Sequence, residues 1–328
     1  MPVLQTRVDP AIQISFARCP PMLTTLLLSL LTFLPLAQPP ATAAPSKPPA
    51  PTPTTLSWTL DSTKREAIVY LPASAATTAT PVIFAFHGHG GNAKQAARSF
   101  DYQKEWPEAI TVYMQGLPTP GALTDPKGVR NGWQKAVGDQ SDRDVKFFDA
   151  VLATLRADYK IDDTRIYCTG HSNGGGFTYL LWAARPDVFA AVAPSSAAPG
   201  GLRDAAALTP KPCMHIAGES DPLVKFTLQE RAMERVKKVN NCETTGKQWG
   251  SEKIKGATAT IYDSKSNSPR TPFISLIHPG GHEFLAAAPP LVVKFFKEHT
   301  KPAKNTPAPA MQKPTEEAKP AAAVPATR

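Results

Sequence analysis

One short segment constrains this chain more than any other, a turn with the pattern Gly-x-Ser-x-Gly at residues 170–174. Residues 165–168 before it are rich in β-branched and aromatic side chains, as in a buried strand, and residues 176–184 after it are apolar and compatible with a helix. A serine on a sharp turn between a strand and a helix is held with its Oγ exposed above the sheet. The flanking glycines suit this turn because larger side chains would clash there. The segment therefore predicts that Ser172 is a nucleophile.

Strand-like and helix-like runs alternate along the rest of the central chain. A continuous apolar run at residues 81–86 is typical of a strand that is covered on both faces. Apolar residues at helical spacing predict a helix over 144–159. Further strands are predicted at 56–60, 66–71, 110–114, 188–193, 213–217, 258–262 and 273–277, and further helices at 227–239 and 291–299. This alternation, after two N-terminal strands, predicts an α/β fold with a mostly parallel, doubly wound sheet and helices on both faces.

The N-terminal segment has the pattern of an export signal. Residues 22–37 form an apolar run of signal-peptide length, preceded by two arginines and followed by the small residues of a cleavage site at 41–43. They predict a signal peptide over residues 1–43 and a secreted protein, extracellular or periplasmic. An uncleaved anchor and a start codon at Met22 remain open alternatives.

Segments rich in proline and alanine flank the core. Residues 44–55 form a predicted linker, and residues 301–328 form a predicted tail that also contains many lysines. Neither segment can bury enough apolar surface to offset the conformational entropy lost on ordering, so both are predicted to be disordered. The folded part is therefore predicted over residues 56–300, as a single catalytic domain. The role of the tail stays open.

The charge and the cysteine spacing exclude several classes of partner. The chain has a net charge of +9, but residues 57–300 carry 28 basic and 24 acidic residues, a net charge of +4. The basic residues are scattered without interleaved aromatic residues, so we expect no nucleic-acid partner. No cysteine or histidine spacing of a metal site is present, so we expect no metal and no cofactor. We expect no membrane contact after signal cleavage, and a monomer.

Three cysteines follow the predicted cleavage site, Cys168, Cys213 and Cys242. In an exported protein one pair of them could be oxidised. Cys168 and Cys213 fall in predicted core strands, which favours buried thiols for these two. A Cys213–Cys242 bridge remains open, because the sequence does not determine the pairing.

A serine nucleophile needs an acid and a base from elsewhere in the chain. Its hydroxyl is activated by a base within hydrogen-bond reach, and that base is oriented by a carboxylate. On a doubly wound sheet of this kind the three residues follow one another as serine, acid and histidine, each on a loop after a strand. Asp221 follows the predicted strand 213–217 and is the expected acid. Glu219 is the alternative, and Asp187 is less suitable because it precedes a strand.

The expected base is His282, which follows the predicted strand 273–277 and a pair of glycines. The glycines allow a turn that brings the imidazole over Ser172. His278 is the competing base because it lies nearer the end of the same strand. His215 falls inside a strand, where a core histidine is expected.

Two backbone N–H groups must stabilise the oxyanion that forms during attack on a carbonyl. One is expected from Asn173, directly after the nucleophile. The other is expected from His89, in the glycine-rich loop 87–92 after the predicted strand 81–86. A plain flexible turn is the alternative for this loop. Its two histidines lack a third ligand at metal-binding spacing, which argues against a metal site.

These residues give the core a resemblance to the secreted polyhydroxybutyrate depolymerase and feruloyl esterase group of the α/β-hydrolases. The matching motifs cover nearly all of residues 56–300 and lie at 87–92, 113–117, 132–134, 144–145, 165–175, 218–221 and 280–282. The resemblance implies a single-domain α/β-hydrolase fold and ester hydrolysis through an acyl-enzyme at Ser172, with Asp221 and His282. The implied substrates are feruloyl or acetyl esters of plant cell-wall polysaccharide, or polyhydroxyalkanoate-type esters, including polymeric ones.

The resemblance also suggests substrate-binding residues, and the chain departs from the group at two positions. Trp133 is implied as a wall of the substrate cleft, although an anchor for its own loop is an equal alternative. Members of the group often have cysteine where this chain has His89, and methionine or leucine where it has His171. We expect His171 and His89 to face the pocket and to influence the choice of substrate.

Two other functions remain open at this stage. A peptidase of the prolyl-oligopeptidase type uses the same order of catalytic residues, but it usually carries a large gating domain for which this chain has no room. A non-catalytic exported binding protein on a hydrolase scaffold is the other alternative. The intact serine, aspartate, histidine and glycine loops argue against it.

Overall fold

The computed structural model describes residues 49, 51–121, 124–199, 208–250, 254, 256–265 and 270–302. The predicted signal peptide at 1–43 lies outside the described residues, and so does most of the predicted tail. Within the described ranges, no helix is long and apolar enough to cross a membrane.

Strands and helices alternate through the described part of the chain. The strands are β1 (Pro53–Leu60), β2 (Thr63–Tyr70), β3 (Thr80–Phe86), β4 (Ile110–Met114), β5 (Leu117–Pro118), β6 (Asn131–Gly132), β7 (Ile161–His171), β8 (Ala191–Ser195), β9 (Cys213–Gly218), β10 (Lys247–Gln248), β11 (Thr258–Tyr262) and β12 (Phe273–His278). The helices are α1 (Ala93–Phe100), α2 (Tyr102–Glu105), α3 (Arg143–Asp158), α4 (Asn173–Ala184), α5 (Phe226–Val239) and α6 (Ala288–Lys297).

Ten strands form one sheet in the order β1-β2-β4-β3-β7-β8-β9-β12-β11-β10, while β5 and β6 pair separately. The six strands from β4 to β12 in this order are parallel, and the strands at both edges are antiparallel. The parallel strands end at one edge, where loops after β3, β7, β9 and β12 meet. The predicted mostly parallel sheet is confirmed.

Helices cover the sheet on both faces, and β3 shows this residue by residue. Its whole length is buried. Phe84 and Phe86 pack into one apolar cluster with side chains of α3, α4 and α5. Ile83 and Ala85 pack into a second cluster with side chains of α1, α2 and α6. Because successive strand residues point to opposite faces, this division into two cores is the doubly wound arrangement that the sequence predicts.

Several boundaries differ from the predicted ones. β1 begins at Pro53, inside the predicted linker 44–55, because Pro53 pairs with Tyr70 at the start of a β1–β2 ladder that runs to Leu60. An edge strand tolerates proline, which cannot donate to a ladder. Helix α1 was not expected, since its buried face consists mainly of alanines. Its start is stabilised by Asn92, whose side chain accepts a hydrogen bond from Gln95 N at 2.8 Å.

Candidate active site

Ser172 lies on the turn between β7, which ends at His171, and α4, which begins at Asn173. Its φ of 56° and ψ of −120° are rare for a residue with a side chain. Such strain persists only where the surrounding packing enforces it. A Cβ atom on Gly174 would collide with the carbonyl oxygen of Phe86, and one on Gly170 would collide with that of Gly174. The glycines of the motif are therefore required by close backbone approach between β7, α4 and β3.

Three predicted residues form one hydrogen-bonded chain across the ends of β7, β9 and β12. Ser172 Oγ lies 2.7 Å from His282 Nε2, and His282 Nδ1 lies 2.8 Å from Asp221 Oδ2. A carboxylate only accepts hydrogen bonds, so Nδ1 carries the proton and Nε2 is free to accept the Ser172 proton. The buried Asp221 carboxylate is held on its other oxygen, Oδ1, by the amides of Leu223 and Val224, each at 2.9 Å.

The alternative acids and base lie elsewhere. Glu219 and Asp187 are exposed, and among the described residues neither carboxylate forms an ion pair or hydrogen bond with a histidine. His278 is buried at the end of β12, with its Nδ1 3.8 Å from Glu283 Oε1. The structure therefore brings Ser172 together with Asp221 and His282 and with none of the alternatives.

The loop after β3 passes directly over the serine. A Cβ on Gly88 would lie 3.4 Å from Ser172 Cβ. His89 and Asn173 line the same cleft as Ser172 and His282. Within the described residues, neither the His89 amide nor the Asn173 amide donates a hydrogen bond to a protein atom. Both N–H groups are thus available to a ligand beside the serine.

The His89 imidazole braces its loop against the long segment between β5 and α3. Its Nε2 lies 3.1 Å from Asp125 Oδ2, and the same oxygen accepts a hydrogen bond from Arg130 N at 2.8 Å. The hydrogen bond from the Arg130 amide and that from His89 lower the pKa of Asp125. Gly90 N also donates to Asn131 O at 2.7 Å. The Asp125 carboxylate, which contacts the His89 side chain, therefore helps to hold the His89 backbone in position.

Trp133 does not line the cleft, so the interpretation of this residue as a substrate wall is wrong. The side chain is fully buried, and it stacks on Phe177 with ring centroids 5.2 Å apart. Its Nε1 donates to the His87 carbonyl at 2.9 Å. Its backbone exchanges two hydrogen bonds with the Asn173 side chain, at 2.7 and 3.1 Å. Trp133 therefore anchors the long loop to the loop after β3 and to the residue after Ser172.

His171 also does not line the cleft, which corrects the expectation that it faces the pocket. Its Nε2 lies 3.2 Å from the His282 carbonyl oxygen, and its Nδ1 lies 3.2 Å from Ser195 Oγ. The carbonyl only accepts, so Nε2 donates and Nδ1 accepts the hydroxyl proton. Burial, and next the charge of His282, lower the pKa of His171 to about 4. His171 is therefore a neutral support beneath His282.

The cleft has a volume of about 450 Å³. One side is apolar, and it includes Leu223 and Leu228, which are large side chains with 43% and 45% exposure. The other side is polar and includes Thr124, Gln134 and Lys135. Sequence reasoning missed these lining residues. The one available signal was the apolar pair Leu223-Val224, which follows the expected acid after a single proline.

No metal or disulfide is built into the described residues. They contain no cluster of three histidine, cysteine or acidic side chains that could hold a metal ion. Cys168, Cys213 and Cys242 are all buried and unpaired, so the Cys213–Cys242 bridge is not formed. Burial raises the pKa of each thiol, which makes them poor nucleophiles.

Similarity to known proteins agrees with this architecture. A family model described as the prolyl oligopeptidase family matches residues 129–199. The S-formylglutathione hydrolase of Agrobacterium tumefaciens superposes with a TM-score of 0.54 at 15% identity, covering 75% of this chain and 95% of that one. The chain has an α/β-hydrolase fold. The fold class that the sequence resemblance implies is thereby confirmed.

Curated relatives include fungal esterases. The probable feruloyl esterase C of Aspergillus niger is 29% identical over 164 residues, which are 49% of this chain and 56% of the relative. Feruloyl esterase D of Neurospora crassa is 28% identical over 234 residues, which are 67% of this chain and 76% of the relative. The chain thus spans little more than half the length of the first of these proteins.

Proposed function

We propose that the protein is a serine carboxylic ester hydrolase. One observation supports this most directly, the unbroken chain of hydrogen bonds from Ser172 Oγ through His282 to Asp221, at 2.7 and 2.8 Å. Strain at Ser172, the two amides available beside it and the fungal feruloyl esterase relatives support the same proposal.

In the proposed reaction His282 Nε2 takes the Ser172 proton as Oγ attacks the ester carbonyl. The amides of His89 and Asn173 stabilise the oxyanion, an interaction worth about 10²–10³ in kcat per donor. His282 then protonates the leaving alkoxide, and an acyl-enzyme remains on Ser172. A water deprotonated by His282 hydrolyses this intermediate and restores the serine. Asp221 stays ionised throughout and stabilises the imidazolium. No cofactor takes part.

The two-sided cleft favours esters with an apolar acyl group and a polar alcohol. Its apolar side, at Leu223, Val224 and Leu228, suits an aryl ring or a short acyl chain. Its volume of about 450 Å³ lies within the range of about 300–1,000 Å³ that is typical of small-molecule sites. We therefore propose feruloyl or acetyl esters of plant polysaccharide as substrates, with short hydroxyalkanoate esters as the competing class.

The proposal includes export. It rests on the apolar run at 22–37 and the small residues at 41–43. Mass spectrometry of the protein released by its host is expected to place the mature N-terminus close to residue 44. A mature protein that still begins at Met1 or Met22 would contradict export by this signal.

A peptidase of the prolyl-oligopeptidase type is the second candidate, because that family model matches residues 129–199. The matched segment contains α3, β7 and the turn at Ser172. These are the parts that an esterase and such a peptidase have in common, so the match supports the nucleophile without selecting the substrate.

A hydrolysis panel separates these functions. It compares the wild type with Ser172→Ala and with the control Ser57→Ala, whose serine lies exposed on β1. The substrates are p-nitrophenyl acetate, methyl ferulate, a hydroxybutyrate oligomer and a peptide anilide. We expect ester turnover by the wild type and Ser57→Ala and none by Ser172→Ala. Ester turnover that survives in Ser172→Ala contradicts the mechanism, and peptide cleavage without ester cleavage selects the peptidase. No turnover at all leaves the binding-protein alternative.

A further inference from the structure

A second line of buried polar side chains ends at the Asp221 carboxylate, on the same oxygen that accepts from His282. It consists of Tyr179 on α4, His215 on β9 and Gln229 on α5, with exposed fractions of 1%, 0% and 0%. Tyr179 OH lies 2.8 Å from His215 Nδ1, and His215 Nε2 lies 3.2 Å from Gln229 Oε1. Gln229 Nε2 lies 3.2 Å from Asp221 Oδ2.

The contacts of Gln229, at the Asp221 end of this line, determine the direction of every hydrogen bond in it. Gln229 Nε2 contacts the Asp221 carboxylate and, at 2.7 Å, the Val224 carbonyl, and both of these only accept. Its oxygen therefore faces His215, which must donate from Nε2. His215 Nδ1 is then an acceptor, and the Tyr179 hydroxyl donates to it. All donors point towards Asp221.

Burial lowers the pKa of His215 to about 4, so the imidazole is neutral near pH 7. This agrees with the single-donor form that the hydrogen bonds require. A neutral line of donors stabilises an ionised carboxylate without adding a competing charge. Gln229 reaches Oδ2, which is the oxygen that also accepts from His282, whereas the loop amides reach only Oδ1.

We propose that Tyr179, His215 and Gln229 are positioning residues, which hold the Asp221 carboxylate ionised and aimed at His282. The inference rests on the proposed function of the site. The three residues lie on the helix that begins beside the nucleophile, on the strand that leads to the acid and on the helix that follows the acid. Hydrogen bonds between these elements keep the acid and Ser172 in register.

A purely structural reading of the same residues is the alternative, since buried polar groups are normally hydrogen-bonded wherever they occur. The two readings differ in what they predict for charge. A positioning role through Asp221 requires that a new charge at Gln229 changes the protonation of His282. Further titratable groups lie beside the His282–Asp221 pair: His171 on β7 interacts electrostatically with both, and with Glu283 on the loop after β12.

The test uses Gln229→Glu and its uncharged counterpart Gln229→Met. In Gln229→Glu a second carboxylate faces Asp221 Oδ2, and like charges so close favour proton binding nearby. We expect the acid limb of the pH profile of kcat/KM to shift to higher pH by about one unit, because the added negative charge stabilises protonated His282. In Gln229→Met we expect kcat to fall about tenfold with little change in KM and no upward movement of that limb.

Tyr179→Phe provides a second, nearly isosteric variant in case the changes at Gln229 prevent folding. It removes only the hydroxyl that orients His215. We expect kcat to fall about three- to tenfold, with KM and the far-ultraviolet circular dichroism spectrum unchanged. Wild-type kcat in both folded Gln229→Met and Tyr179→Phe, or an unmoved acid limb in folded Gln229→Glu, overturns the proposal.

A readout without substrate separates this proposal from the proposed function. The proton between His282 Nδ1 and Asp221 gives a low-field proton resonance in nuclear magnetic resonance spectra, and its titration follows the protonation of His282. We expect Gln229→Glu to raise the midpoint of this titration even if no ester is hydrolysed. An unchanged midpoint in Gln229→Glu refutes the positioning role. If the wild type is active and Ser172→Ala is inactive in the same experiments, the esterase mechanism remains intact.

Discussion

Replacing Trp133 by phenylalanine removes a buried hydrogen bond while it keeps an aromatic ring beside Phe177. The lost bond joins Nε1 to the His87 carbonyl at 2.9 Å, and the unpaired buried acceptor costs about 1–3 kcal/mol. The smaller ring leaves a cavity between Phe86 and Phe177, so the total loss is about 2–4 kcal/mol. For a domain of this size that loss lowers Tm by about 5–15 °C.

Activity is expected to fall with stability, because His87 is the first residue of the loop whose His89 amide is proposed to bind the oxyanion. Kinetics on methyl ferulate should show a lower kcat and an almost unchanged KM, since Trp133 does not reach the cleft. Trp58→Phe is the matched control. It also loses a tryptophan hydrogen bond, from Nε1 to Thr154 Oγ1 at 2.9 Å, but on β1 far along the sheet from Ser172.

The comparison of Tm and kinetic constants distinguishes an anchor from a substrate wall. We expect Trp58→Phe to lose some stability and no kcat. If Trp133→Phe keeps the wild-type Tm and raises KM for methyl ferulate, the side chain contacts substrate and the anchoring role is refuted.

Three further predictions concern the acid, the cleft and the buried histidines. Asp221→Asn should stay folded and lose about 10⁴-fold in kcat, because an amide no longer selects the His282 tautomer that accepts the serine proton; kcat within tenfold of the wild type would contradict this. Leu228→Ser should raise KM for methyl ferulate and leave p-nitrophenyl acetate unaffected, and equal effects on both esters would argue against an aryl site. Burial lowers the pKa of His87, His171 and His215 from 6.5 to about 4, so the folded state disfavours their protonation. Their contribution to the free energy of unfolding is fully present above about pH 6.5. It is lost as the pH falls towards 4, by up to about 3 kcal/mol per histidine. Urea unfolding at pH 7, 5.5 and 4.5 measures this slope, and a constant free energy of unfolding would exclude it.

Local sequence patterns were sufficient where a property depends on neighbours along the chain. The turn at Ser172 needs glycines because its own backbone passes close to adjacent strands, and such a requirement is visible as a motif. Asp221 and His282 were recognisable because each follows a strand, and parallel strands deliver the ends of such segments to one edge of a sheet. Helix α1 escaped prediction because its alanine-rich face carries little apolar signal, although Asn92 was available as an N-cap.

The orientation of single side chains around the site depended on contacts between distant segments. Trp133 was compatible with a cleft wall or a loop anchor, and only the His87 carbonyl and the Phe177 ring, both far away in the chain, select the anchor. The alternation of side chains along β7 indicates only which face of the sheet His171 lies on. The His282 carbonyl that it supports lies more than a hundred residues later in the chain.

By itself, the sequence indicated most of the core strands and helices in their order, the serine turn and the residues expected to complete the site. These features depend on residues that are close together in the sequence: the period of hydrophobic residues, the spacing of glycines and the position of polar residues after strands. Only the tertiary structure decided that Trp133 and His171 are supports, that Leu223 and Leu228 form the apolar side of the cleft, and that Gln229 reaches the Asp221 carboxylate. The reason is physical, since hydrogen-bond direction and side-chain exposure are properties of neighbours in space.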